Sequence, residues 1–540
     1  MKTKTKIFST LLISGLLLFA SCTSDFEEMN IDERGVTNEQ LQSDYYFIGG
    51  FFPQMQQMIY CNFNWGWGVN WTFQIMQNLN ADVFSGYMMT PTPFAGNVNN
   101  MTYALVDGWN FSAWDYTYAY FMTAENQVET LTKEKYPSFY ATALILKVEA
   151  MHRVSDQYGP IIYTHYGDSQ TGGEFDSQKD AYYAFFADLD KAVDLLNKFV
   201  TEYPDIHPFT KYDQMFGGDY TMWIKWANSL RLRLAMRISD IDPTKAQAEA
   251  EKAMSNKYGV LEATNAQVSG KGYTHPVAAI ANSWGDIRMG APMESILKGY
   301  NDPRMAKYFT PTKDADAIAA GYEYKGIRQG INLVDKAEYL DHSSINLTAE
   351  SPAVLMTPAE VYFLRAEGAL KGWANMGGTA KELYEMGVKA SFDQYGLSGA
   401  DDYLASSNKA AEYIDVKHDT NSVKLTGTGI FGPDYLNLTS PNFDEATTND
   451  EMLQKIITQK WIAMFPEGME AWSEFRRTGY PKLFPVVLNK SGGKISTTDF
   501  VKRLNFSVNE KQNNPDGYEK AVQLLGGDDT GGTPLWWDVD

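Results

Sequence analysis

TMWIKWANSLRLRLAMRIS, residues 221–239, contains neither proline nor glycine. At 100° per residue, Trp223, Trp226, Ala227, Leu230, Leu234 and Ile238 fall on one face, which is helical spacing. The opposite face is not polar either, since Ile224, Leu232, Ala235 and Met236 occupy it. A helix that is apolar on most sides must be buried, and a chain buries one by packing further helices around it. Its cations, Lys225, Arg231, Arg233 and Arg237, then need carboxylates or helix C-terminal carbonyls as partners.

Helical hairpins are expected around it. Trp109–Leu131 with Pro137–Gln157 forms the first, near 109–157, and Asp180–Val200 with 221–239 the second, near 180–239. Pro358–Trp373 and Thr379–Tyr395 form a third, near 358–395. The fourth, near 450–478, turns at Pro466-Glu467-Gly468. Small residues recur at contact positions (Ala143 and Ala150, Ala227 and Ala235, Ala366 and Ala369), a pattern that resembles tetratricopeptide units. Asn38–Ile59 is a further helical stretch with a kink expected near residue 50, where Gly49, Gly50 and Pro53 interrupt it. The fold class is mostly α with little β. Residues 61–108, 260–355, 396–449 and 480–540 are loop-rich insertions, longer than a compact domain carries without a purpose.

The net charge of −21 and the lack of a basic patch argue against a nucleic-acid partner. Two cysteines, Cys22 and Cys61, exclude a disulfide framework and a cysteine-based zinc site. Six scattered histidines show no HExxH and no i, i+4 pair, so no metal or cofactor is implied.

The chain opens MKTKTKIFSTLLISGLLLFASC. Lys2, Lys4 and Lys6 form a basic n-region, and Ile7–Ala20 is an apolar run too short for a membrane span. Phe19-Ala20-Ser21-Cys22 resembles a bacterial lipobox, with Phe19 where Leu is usual. That resemblance implies a signal peptide over 1–21 and acylation of Cys22, which would anchor the chain in outer-membrane lipid at about 0.8 kcal/mol per buried methylene. The acidic residues that follow, in a tether over 22–36, resemble the surface-export signal of Bacteroidetes lipoproteins. Residues 37–540 are then one domain.

Four stretches in this order resemble the SusD/RagB family of nutrient-binding lipoproteins: MHRVSDQYGPIIY (151–163), YNDPRMAKYF (300–309), TPAEVYFLRAEGALKGW (357–373), and QKWIAMFPEGMEAWSEFRRTGYPKL (459–483) together with the tail from 503 to 538. The resemblance implies a SusD-like fold of four tetratricopeptide-like hairpins beside a loop-rich ligand-binding half. It also implies a lipid-anchored outer-membrane protein facing the cell surface. Such a protein captures a glycan, or in some branches a peptide, for a SusC-like TonB-dependent barrel, and binds without cleaving.

A sugar ring offers an apolar C–H face and a rim of hydroxyls, so a glycan site combines exposed aromatic rings with amides and other polar groups. Three stretches have that mixture. Residues 61–71 carry Asn62, Asn64, Trp65, Trp67, Asn70 and Trp71. Residues 82–100 carry Asp82, Phe84, Tyr87, Phe94, Asn97, Asn99 and Asn100. Residues 273–289 carry Tyr273, His275, Asn282, Trp284, Asp286 and Arg288. By position, the second and third match the regions that form the platform in the family's starch-binding member. The helical tryptophans Trp109, Trp114, Trp223, Trp226, Trp461 and Trp472 are expected in the core, and Trp536 and Trp537 are expected to dock the tail. Two other classes compete: a lid component without a ligand, and a glycoside hydrolase, for which Asp82 and Asp286 would be the carboxylate pair.

Overall fold

The computed structural model describes residues 43–60, 70–169 and 172–539. Cys22, Trp65, Trp67 and the acidic tether lie outside the described residues. The chain divides into two compact units, Met1–Gly50 and Phe51–Asp540. In the first, a 3-10 turn (Ser43–Tyr45) leads into a short helix, Tyr46–Gly49. The expected kink near residue 50 is a break, since the next helix is Phe52–Met58 in the second unit, with Pro53 in its first turn.

The second unit is built on helices α1 (Thr123–Thr132), α2 (Pro137–Tyr158), α3 (Gln178–Glu202), α4 (Tyr220–Arg237), α5 (Pro243–Met254), α6 (Pro358–Leu370), α7 (Ala380–Gln394), α8 (Asn449–Ala463) and α9 (Gly468–Thr478). Consecutive helices pack against one another: α1 on α2, α2 on α3, α3 on α4, α6 on α7 and α8 on α9. Their ends follow local chemistry. Ser177 caps α3 through the Asp180 N–H, Thr357 caps α6 through the Glu360 N–H, and α7 and α8 begin with capping boxes, Thr379/Glu382 and Thr448/Glu451. α2 stops at Gly159, whose φ of 94° is open to glycine and strained for other residues.

Three details depart from the sequence expectation. The first arm, 109–131, is four pieces, Asp107–Asn110, Ser112–Tyr116, a π-helical turn Thr117–Met122, and α1. α5 is an additional helix against α4; its Ala-rich sequence shows too narrow an apolar stripe to stand out. The 260–355 segment contains a ten-residue helix, Ala291–Tyr300. Among the described residues, strands are confined to two antiparallel pairs, Met88–Met89 with Arg288–Met289 and Ala266–Val268 with Ala353–Met356. Among the described residues, no helix is long and apolar enough to cross a membrane.

α4 is buried along most of its length, and its arginines find the partners the sequence demands. Arg231 pairs with Asp190 and Glu249. Arg233 donates from Nε and Nη2 to the two oxygens of Glu360, each at 2.8 Å, and from Nη2 to the Leu355 carbonyl at 2.7 Å. Arg237 meets Glu470 and Glu474 on α9 at 2.6 Å each, and Asp156 on α2 at 3.3 Å. Lys225 sits half-exposed at the margin. Buried charge is tolerated only where it is paired, so this network fixes the registry of α2, α4, α6 and α9. The tail closes over the same helices. Trp537 is buried with Nε1 donating to Asp156 at 2.9 Å, and the Trp536 N–H donates to Gln178 at 2.9 Å.

Candidate functional site

The short strand pair joins two of the three expected stretches. Met88 faces Met289 and Met89 faces Arg288, so residues 82–100 and 273–289 run side by side. Gly290 makes the join possible: a Cβ there would lie 2.2 Å from the Gly86 carbonyl oxygen. The end of the first stretch reaches the same place. Trp71 lies in the helical turn Asn70–Phe73, which packs against the π-helical turn Ala279–Ser283, and Trp284 caps that turn.

Asp286 ties these segments together. It accepts from Thr92 Oγ1 at 2.7 Å, from Gln74 Nε2 at 3.2 Å and from Lys336 Nζ at 2.7 Å. Lys336 Nζ also donates to the Trp284 carbonyl at 2.7 Å. Asp286 is therefore a clasp rather than a free ligand contact. Three separate segments converge on it, which holds the nearby aromatic rings in place.

Two of those rings are open. Trp71 is 50% exposed and Trp284 is 38% exposed, both too accessible to be core. Tyr116 meets Trp71 edge-on at 6.2 Å and stacks on Tyr120 at 5.8 Å. Phe94 is half-buried, edge-on to Trp109 at 5.6 Å. Trp109 is half-buried rather than core, and its helical piece, Asp107–Asn110, ends after one turn. Asn282 is exposed, with its side chain held by the Leu347 carbonyl and Ser344 at 2.9 Å each.

Several expected contacts are buried. Tyr87 is enclosed, its hydroxyl donating to the Trp461 carbonyl and its ring packed on Trp461 and Phe465. Asp82 is enclosed too, accepting from Gln77 at 3.0 Å and Asn78 at 2.8 Å beneath Gly468, and burial raises its carboxyl to about 7. Asp82 and Asp286 therefore cannot flank a glycosidic bond. Phe84 packs against Trp472 at 5.2 Å. Asn97 spends its amide on the Leu333 carbonyl at 2.7 Å, and Asn99 and Asn100 are likewise buried in loop-closing bonds. His275 is buried between Tyr60 and Tyr273, and burial lowers its imidazole to about 3, so it stays neutral. Tyr273 is half-buried, with its hydroxyl enclosed.

Arg288 is mostly buried. Nε donates to the Leu340 carbonyl at 2.6 Å, and Nη1 to the carbonyls of Ala281 at 2.9 Å and Ile287 at 2.6 Å. Burial lowers its pKa, with Asp341 and Asp286 opposing. Among the residues that sequence reasoning passed over are Lys336, Thr92, Gln74, Tyr116 and Tyr120. Only the Tyr116/Tyr120 spacing, one helical turn, gave a signal that could have found them.

A groove of about 670 Å³ lies elsewhere, between α6, α7 and residues 262–267; it shares no lining residue with the aromatic face. Its lining includes one exposed methionine, Met386, and a largely buried Tyr362, so it lacks open rings for stacking.

The chain matches the family described as SusD-like, "Susd and RagB outer membrane lipoprotein", over residues 28–538. Among solved structures it is similar to a chitin-binding SusD homolog from Flavobacterium johnsoniae, at 47% identity and TM-score 0.85, with 92% of this chain aligned to 99% of that one. A SusD homolog from Bacteroides vulgatus matches at 44% identity and TM-score 0.85, covering 92% of this chain and 98% of that one. One from Bacteroides uniformis matches at 32% identity and TM-score 0.80, covering 92% and 100%. No curated protein matches.

Proposed function

The chain belongs to the SusD-like family of outer membrane lipoproteins, and from that membership we propose that it captures a glycan on an open aromatic face. The observation that carries this reading is the pair Trp71 and Trp284. They are exposed, lie on adjoining turns, and are flanked by polar side chains that the Asp286 clasp holds in place. Flat rings stack on the C–H faces of successive sugars, while amide and guanidinium groups take the hydroxyl rim. The relative at 47% identity is described as chitin-binding. Chito-oligosaccharide, a β-linked polymer of N-acetylglucosamine, is therefore the ligand class proposed here. Cys22 is proposed as the acylated anchor, and a SusC-like transporter as the partner that receives the glycan. The protein binds its ligand and releases it intact.

The test is calorimetric titration of the lipid-free chain with chitohexaose, maltohexaose, cellohexaose and a mixed peptide library, with product analysis after prolonged incubation. Chitohexaose should bind and remain uncleaved. Preferential binding of peptide, or accumulation of shorter sugars, overturns the reading.

A further inference from the structure

A guanidinium carries five N–H donors in a rigid planar fork. In Arg288, the Nε–H and the two Nη1 hydrogens are used by the Leu340, Ala281 and Ile287 carbonyls. Nη2 has no hydrogen-bond partner among the described residues, and it is not one of the enclosed orphan atoms. Two donors are thus left open to solvent on an otherwise fixed side chain. No carboxylate lies within ion-pair distance of it among the described residues, and Asp286 is already engaged by Lys336, Thr92 and Gln74.

The place where Nη2 emerges is defined by Gly285. A Cβ on that residue would lie 3.4 Å from Arg288 Nη2, 3.7 Å from Lys336 Cε and 2.8 Å from Leu340 Cδ1. Gly285 has a φ of 67°, the left-handed turn that glycine adopts freely, and it directly follows Trp284 in the chain. The absence of a side chain there leaves Nη2 uncovered one residue from an exposed ring.

A sugar stacked on Trp284 presents its ring substituents at the edge of the indole. A hydroxyl is a weak acceptor for a guanidinium, and an amide carbonyl is a stronger one. A carboxylate would be stronger again, but the chain's net charge of −21 disfavours approach of a polyanion. We propose that Arg288 is a specificity-determining residue: its Nη2 reads the acetamido carbonyl oxygen of a 2-acetamido sugar stacked against Trp284. This rests on the glycan-binding reading above and adds which chemical group is recognised and by which atom.

The experiment compares affinities for chitohexaose, cellohexaose, the fully deacetylated glucosamine hexamer and a galacturonic acid hexamer. It uses the wild type, Arg288→Lys, Gly285→Ala and Trp284→Ala. Wild type should prefer chitohexaose to cellohexaose by about tenfold or more, the scale of one hydrogen bond to a charged donor. Arg288→Lys keeps the charge but loses the fork, and Gly285→Ala places a methyl 3.4 Å from Nη2, displacing the Leu340 side chain that a Cβ there would meet at 2.8 Å. Both should bring the ratio toward one, whereas Trp284→Ala should weaken both sugars together. An unchanged ratio in both Arg288→Lys and Gly285→Ala, with binding still sensitive to Trp284→Ala, makes Arg288 a structural strut and overturns this inference alone. Chitohexaose binding that ignores Trp284→Ala, or no chitohexaose binding at all, overturns the site reading itself. Tighter binding of the galacturonic acid or glucosamine hexamer than of chitohexaose overturns the acetamido assignment.

Discussion

The Lys336 ammonium donates to the backbone carbonyl of Trp284 at 2.7 Å, so a side chain some fifty residues away in sequence holds the exposed indole's own peptide. The same ammonium closes onto Asp286 at 2.7 Å. Both side chains are partly exposed, and a pair of that kind contributes only about 0.2–1 kcal/mol to stability. Its effect on binding can be larger, because a ring that is already ordered loses less freedom when it stacks on a ligand.

Lys336→Ala should therefore weaken chitohexaose binding about three- to tenfold while shifting the thermal midpoint by no more than about 2 °C. Acrylamide quenching of tryptophan fluorescence should rise as Trp284 loosens. An unchanged affinity would show that the clasp does not organise the face.

Trp71→Ala and Trp284→Ala each remove an exposed ring. Each should cost binding about tenfold and leave unfolding free energy within about 0.5 kcal/mol of wild type, the range for exposed positions. Tyr87→Phe is the contrasting change. It deletes the buried hydroxyl that serves the Trp461 carbonyl, and should cost about 1–2 kcal/mol of stability with no change in affinity. Urea melts and titrations of the three variants check both halves; reduced affinity in Tyr87→Phe would return that residue to the site.

The scaffold was legible in the sequence because periodicity reports burial directly. Residues 221–239 showed apolar side chains all round and arginines that needed partners, and Arg233 and Arg237 found theirs on α6, α9 and α2. The proposed binding face was only half legible. An Asn- and aromatic-rich loop reads the same whether its polar groups meet a ligand or each other. Asp82, Asn97 and Asn100 are satisfied by Gln77 and Asn78, by the Leu333 carbonyl, and by Asn110, and no local pattern distinguishes such closure from exposure. Trp284 was separable because its flanking Asn282, Gly285 and Asp286 leave no apolar periodicity to bury it. Trp109 departs from the core expectation: the stripe over 109–131 is broken, since the helical piece that carries this ring ends after one turn.

Glu360 is enclosed and grips Arg233 with both oxygens at 2.8 Å. Glu360→Ala would leave the Arg233 charge buried with weaker partners, Glu470 at 3.7 Å and Glu149 at 3.7 Å. The expected loss is about 3–5 kcal/mol, measured by urea denaturation. Glu360→Gln keeps one acceptor and should lose less. Equal, small losses in both would mean that the remaining carboxylates already neutralise Arg233.

Asp82 links the buried part of the loop region to pH. Burial raises its carboxyl from the ordinary 3.8 to about 7, against the lowering effect of the Gln77 and Asn78 amides. The sign follows from proton counting. Between about pH 4 and pH 7 the folded chain holds this proton and the unfolded chain has released it, so Asp82 makes stability fall as pH rises through that window. Above about pH 7 the folded carboxyl has ionised as well, and the contribution becomes constant. Asp82→Asn carries no titrating proton. Its midpoint should therefore gain on wild type steadily from pH 4.5 to pH 7 and run parallel to it above. Because Asp82 is enclosed beneath Gly468, chitohexaose affinity at pH 7 should be the same in both proteins. Thermal melts across that range decide it: midpoint curves of the two proteins that stay parallel throughout would show that Asp82 is ionised in the fold at every pH tested.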